Sequence, residues 1–239
     1  MTTATRMPQS RTSILQMQMT EFWSGDLGLT LVSISLAILV FVVFPLRQDG
    51  FSGRLFFDLV MVTLMVSGVL VMNQSRIITA ATIVIVILGA VVLCTSRLYP
   101  TPTLLHLNSF LSIFIMLLYV RIVLLVMFRH GPVTWSRIQG GICAYLLLGM
   151  AWASAFDLTE QLHPGAFHFV TQPRNIDELV SKLIYFSFGT LTTVGFGDIL
   201  PVAPFARSLA VAEAVVGQLF PAILIGALVA MAMRTERKS

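Results

Sequence analysis

Six stretches of this 239-residue chain are long and apolar enough to cross a bilayer: 27–45, 55–72, 77–94, 104–128, 138–156 and 206–233. A spanning helix needs about 20 apolar residues, and it must bond its own backbone because lipid offers no partners. A seventh apolar stretch, 177–191, is too short to span. It predicts a re-entrant helix, which is tolerated at membrane depth only where protein or water covers its ends. Composition agrees: 56% of residues are hydrophobic and 11% charged, far from a soluble domain. The predicted fold class is an all-α membrane protein with six transmembrane helices, a re-entrant helix and the loop that follows it.

That loop carries the chemistry. It reads Thr192-Thr193-Val194-Gly195-Phe196-Gly197-Asp198 and lies between the short stretch and the last long one. Successive carbonyls can all face one way only if alternate residues take left-handed backbone, which glycine adopts without steric cost. Gly195 and Gly197 suit that role. Thr193 adds a side-chain oxygen before the glycines, and Asp198 adds a carboxylate after them, a charge that concentrates cations nearby.

The segment resembles the selectivity filter of potassium channels, in which rings of backbone carbonyls replace the hydration shell of the ion. The likeness extends over 138–239. It implies an outer helix, a turret, a pore helix (177–191), a filter and an inner helix. Potassium would be the permeant ion, held at Thr193, Val194, Gly195 and Phe196, with Gly197 completing the strand and Thr192 supporting it. One strand cannot surround an ion, so the resemblance implies a homotetramer with four-fold symmetry. No cofactor is implied.

The likeness also has departures. Potassium channels often carry a Trp-Trp pair before the filter, where this chain has Tyr185 and Phe186, and Phe196 stands where tyrosine is commonest. The expectation is that Phe186 packs on Phe196 while the Tyr185 hydroxyl reaches Asp198. Gly189 replaces a glutamate found in some relatives. Gly217 falls at the spacing of the hinge glycine, with Pro221 and Gly226 as further soft points. Hinge and close packing through a small residue are both open for Gly217. Glu213 is expected as a buried carboxyl bonded to the pore helix, and Gln218 as a cavity-lining residue. Asp177 and Glu178 suit the positive end of the pore-helix dipole.

Four regions follow: a polar leader (1–26) with a possible interfacial helix at 12–23, a four-helix domain (27–128), a linker (129–137) and the pore domain (138–239). No cleavable signal peptide pattern precedes the first span. A voltage sensor needs several basic residues at three-residue spacing. The fourth span holds Arg121 alone, read as a buried ionisable residue near the inner interface, with Ile115, Leu118 and Leu124 where a ladder would continue. Asp58 is expected at the depth of His106 and Asn108. His163 and His168 read as exposed loop residues and not as a metal site. Cys94 and Cys143 read as packing residues.

The net charge of +4 fits basic residues at span ends facing lipid and not nucleic acid. With both termini cytoplasmic, eight basic residues lie inside against six outside, and the entry side of the filter favours the same orientation in a plasma (inner) membrane. The chain therefore reads as a passive potassium channel, not steeply voltage-gated. A weakly selective cation channel, an active transporter and a non-conducting regulatory subunit are the rival readings. No enzyme motif is present.

Overall fold

The computed structural model describes residues 101–128 and 134–236, with scattered positions at 34, 36–38, 84, 87–92, 95, 96, 98 and 99. The expected leader, the second span, Asp58, Cys94 and most of the linker lie outside the described residues. The described positions of the first and third expected spans are helical.

In chain order the elements are α1 (Pro102–Met127), α2 (Trp135–Leu162), β1 (Phe167–Phe169), α3 (Ile176–Leu191), β2 (Ile199–Pro201) and α4 (Pro204–Glu236). Among the described residues, α1, α2 and α4 are each long and apolar enough to cross a membrane. Proline opens both α1 and α4, where the missing N–H is one that a first turn leaves unused.

α1 and α2 pack along their length. Ile115, Met116, Tyr119 and Val123 of α1 are buried in one cluster with Cys143, Ala144, Leu147, Met150 and Ala151 of α2. The opposite face of α1 is exposed at Leu107, Phe110, Phe114, Leu117 and Leu125, a three-and-four spacing that marks one helical stripe. Arg121 falls on that stripe and is exposed, so the expected burial of Arg121 is corrected. Its neighbours Val120 and Ile122 turn toward α2, and a one-residue step on a helix rotates about 100°. At the other end of the pair, Ser109 Oγ donates to Asp157 Oδ2 at 2.6 Å, and Gln161 Nε2 donates to the same oxygen at 2.7 Å.

The connection from α2 to α3 departs from the flexible turret expected of it. α2 runs to Leu162, six residues past the expected end of its span. Glu160 then gathers the chain: its carboxylate accepts from the Gly165 N–H at 2.8 Å and the Phe167 N–H at 3.0 Å. The next residues form β1, which pairs antiparallel with β2 in the register Phe167↔Pro201, His168↔Leu200 and Phe169↔Ile199. Phe167 and Phe169 point inward and His168 outward. Side chains of alternate strand residues face opposite sides, as Phe-His-Phe does here. His163 caps the end of α2, and both histidines are exposed as expected. No cluster of three metal-ligating side chains occurs among the described residues.

A second core lies under this hairpin. Phe156, Phe167, Phe169, Leu183, Ile199, Ala206 and Ala210 are buried together, so α2, both strands, α3 and α4 meet there. α3 is capped from both directions. Asn175 accepts from the Glu178 N–H at 2.8 Å, while Glu178 accepts from the Arg174 N–H at 2.9 Å and pairs with Lys182 at 3.2 Å. Asn-x-x-Glu is the sequence signature of such a start. The Arg174 N–H first, then Lys182, hold the Glu178 carboxyl below the usual glutamate range.

Candidate functional site: the 192–198 segment

α3 ends at Thr192, whose N–H and Oγ1 both donate to Phe188 O, at 3.1 and 2.6 Å. The chain then leaves the helix with alternating backbone handedness. Thr193, Gly195 and Gly197 have φ of 61°, 59° and 82°, while the residues between them have negative φ. This is the alternation that lets consecutive carbonyls face one side. Gly195 and Gly197 were legible in the sequence, whereas left-handed Thr193 was not. A β-branched residue there costs about 1–2 kcal/mol, and it persists only where its surroundings hold it.

The surroundings are specific. Thr193 N–H donates to Thr190 O at 2.9 Å, and the Val194 and Gly195 N–H groups converge on Gly189 O at 2.9 and 3.1 Å. At the outer end, Val170 N–H donates to Asp198 O at 3.0 Å, so the β1–β2 ladder continues into the segment. At the inner end, Tyr145 Oη of α2 donates to Leu191 O at 3.0 Å. Neither Val170 nor Tyr145 was singled out by the sequence. Both act on backbone carbonyls, which leave no mark on the pattern of side chains.

The aromatic pairing differs from expectation. Within the chain, Phe196 stacks on Tyr185, with centroids 5.2 Å apart and planes inclined by 16°. Phe186 turns to the other side of α3 and meets Phe156 and Phe167 edge-on, at 5.1 and 5.4 Å. The expected Phe186–Phe196 contact is therefore corrected. Positions 185 and 186 face about 100° apart on a helix, so Tyr185 stacks on the Phe196 ring while the Phe186 ring packs into the core under the hairpin. The Tyr185 hydroxyl does face the Asp198 carboxylate, and the two share the wall of one cavity. Gly189 lies under the Phe196 ring, where an added Cβ would come to 3.5 Å.

α4 touches α3 at Glu213 and Gly217, one turn apart, and the segment itself at Gln218. Glu213 is fully buried, and its Oε1 lies 2.5 Å from Ser187 Oγ of α3, as expected of a carboxyl bonded to that helix. The same Ser187 hydroxyl lies 2.7 Å from Gly149 O of α2. One turn on, Gly217 presses against the end of α3: a Cβ there would stand 2.0 Å from Leu191 O. The geometry supports close packing for Gly217. Next to it, Gln218 Nε2 donates to Thr193 Oγ1 at 3.0 Å. α4 continues as helix through Pro221, and Gly226 has open space around it.

Behind the segment lies a cavity of about 690 Å³, bordered by Tyr145, Phe188, Val194 and Phe196 among others. Only 6% of the most apolar stretch of α4 is buried within the chain, against 56% for α2. The helix that carries Gly217 and Gln218 is therefore mostly uncovered by its own chain.

Residues 144–234 match a family described as ion channel. The match covers the second half of α2, the hairpin, α3, the 192–198 segment and nearly all of α4. No solved structure matches the chain. The match supports ion channel function in a helical membrane protein and points to a channel and not an enzyme.

Proposed function

We propose that the chain is the subunit of a potassium-selective channel, with the 192–198 segment as its selectivity filter. The observation that carries this reading is the alternation of left-handed backbone at Thr193, Gly195 and Gly197, in a strand hung between a short helix and a long apolar one. Such a strand offers a column of carbonyls on one side. Four strands about one axis would form stacked oxygen cages able to replace a hydration shell. Asp198 at the outer end raises the local cation concentration.

The reading includes a homotetramer, which the exposed apolar face of α4 supports. α4 exposes Val211, Val215, Leu219, Ile223 and Val229 along its length, and the cavity behind Phe196 is unfilled by its own chain. A second copy supplies apolar surface to both. Potassium moves passively down its gradient, and no covalent chemistry is involved. The lone Arg121 of α1 cannot supply the charge that steep voltage gating needs, at about 2.3 kcal/mol per charge per 100 mV.

The test is reconstitution of the purified protein in bilayers, with reversal potentials measured in potassium/sodium mixtures. A reversal potential that follows potassium is expected. Gly195→Ala is expected to abolish the current while the tetramer still assembles: nothing of its own chain lies within 4 Å of the added Cβ, which acts there through the left-handed backbone. Equal sodium and potassium permeability in the wild type would refute selectivity, and normal flux through Gly195→Ala would refute the carbonyl column.

A further inference from the structure

Thr193 and Gln218 are 25 positions apart and meet at the inner end of the filter. Three features bring them together. Gly217 lies flush on Leu191 O, a contact that any Cβ would prevent, so α4 is locked in register with the end of α3. Tyr145 bonds the same carbonyl from α2 and holds it in place. Gln218, the next residue of α4, is thereby presented to Thr193, two residues beyond Leu191.

We infer that Gln218 is a positioning residue for the innermost ion site, fixing the Thr193 hydroxyl and through it the selectivity of that site. This rests on the potassium-channel reading and adds to it a residue outside the filter motif. The argument is one of hydrogen-bond capacity. A threonine hydroxyl has one hydrogen and two lone pairs. The Gln218 N–H occupies one lone pair, which sets the rotamer of Thr193 and leaves the other for a cation. Thr193 is also the one non-glycine residue of left-handed backbone among the described residues. A side chain in that conformation needs external contacts to hold it, and among the described residues Gln218 supplies the hydrogen bond made to its oxygen. Without the amide, the hydroxyl can rotate and the inner cage loses a fixed ligand from each subunit. Because Gln218 sits on α4, a displacement of the inner half of that helix reaches the Thr193 hydroxyl directly through this hydrogen bond.

The experiment uses purified channels in bilayers and two readouts. One is the potassium-over-sodium permeability ratio. The other is block by cytoplasmic barium, a divalent ion of potassium's size that reports how well an inner site holds its oxygen ligands. Gln218→Leu, which keeps bulk and removes the donor, is expected to lower the ratio and weaken barium block by about fivefold each, as for loss of one net hydrogen bond. In a Thr193→Ala background, which lacks the hydroxyl, Gln218→Leu is expected to change neither readout further. Unchanged selectivity and block in Gln218→Leu would overturn the inference, and so would effects that add to those of Thr193→Ala. Gln218→Met, also without a donor, replaces Gln218→Leu if the latter does not assemble. Failure of both to assemble would show a role in folding and overturn the positioning role. A wild type without potassium selectivity would refute the channel reading itself, whereas a selective wild type unaffected by Gln218→Leu refutes only the role of Gln218.

Discussion

The contact between Glu213 and Ser187 leads to a prediction about a proton. Ser187 Oγ lies 2.5 Å from Glu213 Oε1 and 2.7 Å from Gly149 O, and a hydroxyl has a single hydrogen. Both contacts are bonds at once only if the Glu213 carboxyl is protonated and donates to Ser187, which in turn donates to the Gly149 carbonyl. The surroundings agree. Glu213 is fully buried, and its Oε2 has no hydrogen-bond partner among the described residues. An ionised oxygen in that position would be several kcal/mol more costly. The perturbations are Glu213→Gln and Ser187→Ala. The glutamine amide is neutral, close in size and can donate to Ser187, so its cost should stay within about 1 kcal/mol, the worth of one net hydrogen bond. Ser187→Ala strands a buried carboxyl and should cost about 1–3 kcal/mol. Adding Glu213→Leu to Ser187→Ala should recover part of that loss, because no polar group is then left unpartnered. The assay is thermal dissociation of the detergent-solubilised assembly, read beside the infrared carbonyl band of a neutral carboxylic acid. That band should vanish in Glu213→Gln. If Glu213→Gln destabilises as much as Ser187→Ala and the wild type shows no such band, the proton count is wrong.

Three further outcomes follow. Gly217→Ala should lower thermal stability by about 1–3 kcal/mol through overpacking against Leu191 O, even though alanine favours a helix by about 1 kcal/mol; a rise in stability would restore the hinge reading. Because the folded state lowers the Glu178 carboxyl below its ordinary value, its stabilisation is fully present above that value and lost as pH falls through the lowered one. The thermal stabilities of wild type and Glu178→Gln should accordingly differ at pH 7 and converge as pH drops below about 4; a gap that persists in acid would contradict this. Arg121→Gln should leave the conductance–voltage relation unchanged, since Arg121 is exposed on a face of α1 turned away from α2; a flattened curve would show that it carries gating charge.

What the sequence showed and what it hid follow a physical division. α1, α2 and α4 were legible because a lipid-crossing helix must be long and apolar whatever packs on it. α3 was legible from its length and from the segment it introduces. Glu213 stood out because a carboxyl in a span is rare enough to demand a partner, but nothing in the order of residues pointed to Ser187. The hairpin was missed because two three-residue strands carry too little alternation to distinguish them from a loop. The Phe186–Phe196 pairing failed for a different reason. Residue types at matching motif positions indicated which rings were present, while helical phase decided which of them could meet within the chain. Arg121 differs from expectation on the same ground, since the depth of a residue along a helix does not say which face it lies on.

With phenylalanine at 196, no phenol is available to anchor the strand through its own side chain. The restraints fall instead on backbone atoms: Leu191 O held by Tyr145, Gly189 O shared by two N–H groups, and Asp198 O bonded by Val170. Each uses a carbonyl that any residue would provide, so none constrains the residue type at 189, 191 or 198 through that bond. The two ends differ in what they are tied to. The outer end is fixed to a short sheet rooted in the core around Phe156 and Phe167, which contains no part of the inner half of α4. The inner end is tied to α4 itself, through Gly217 against Leu191 and Gln218 against Thr193. A shift of the inner half of α4 therefore reaches the threonine end of the segment before the aspartate end, and the polarity of the coupling is set by which part of α4 each end touches.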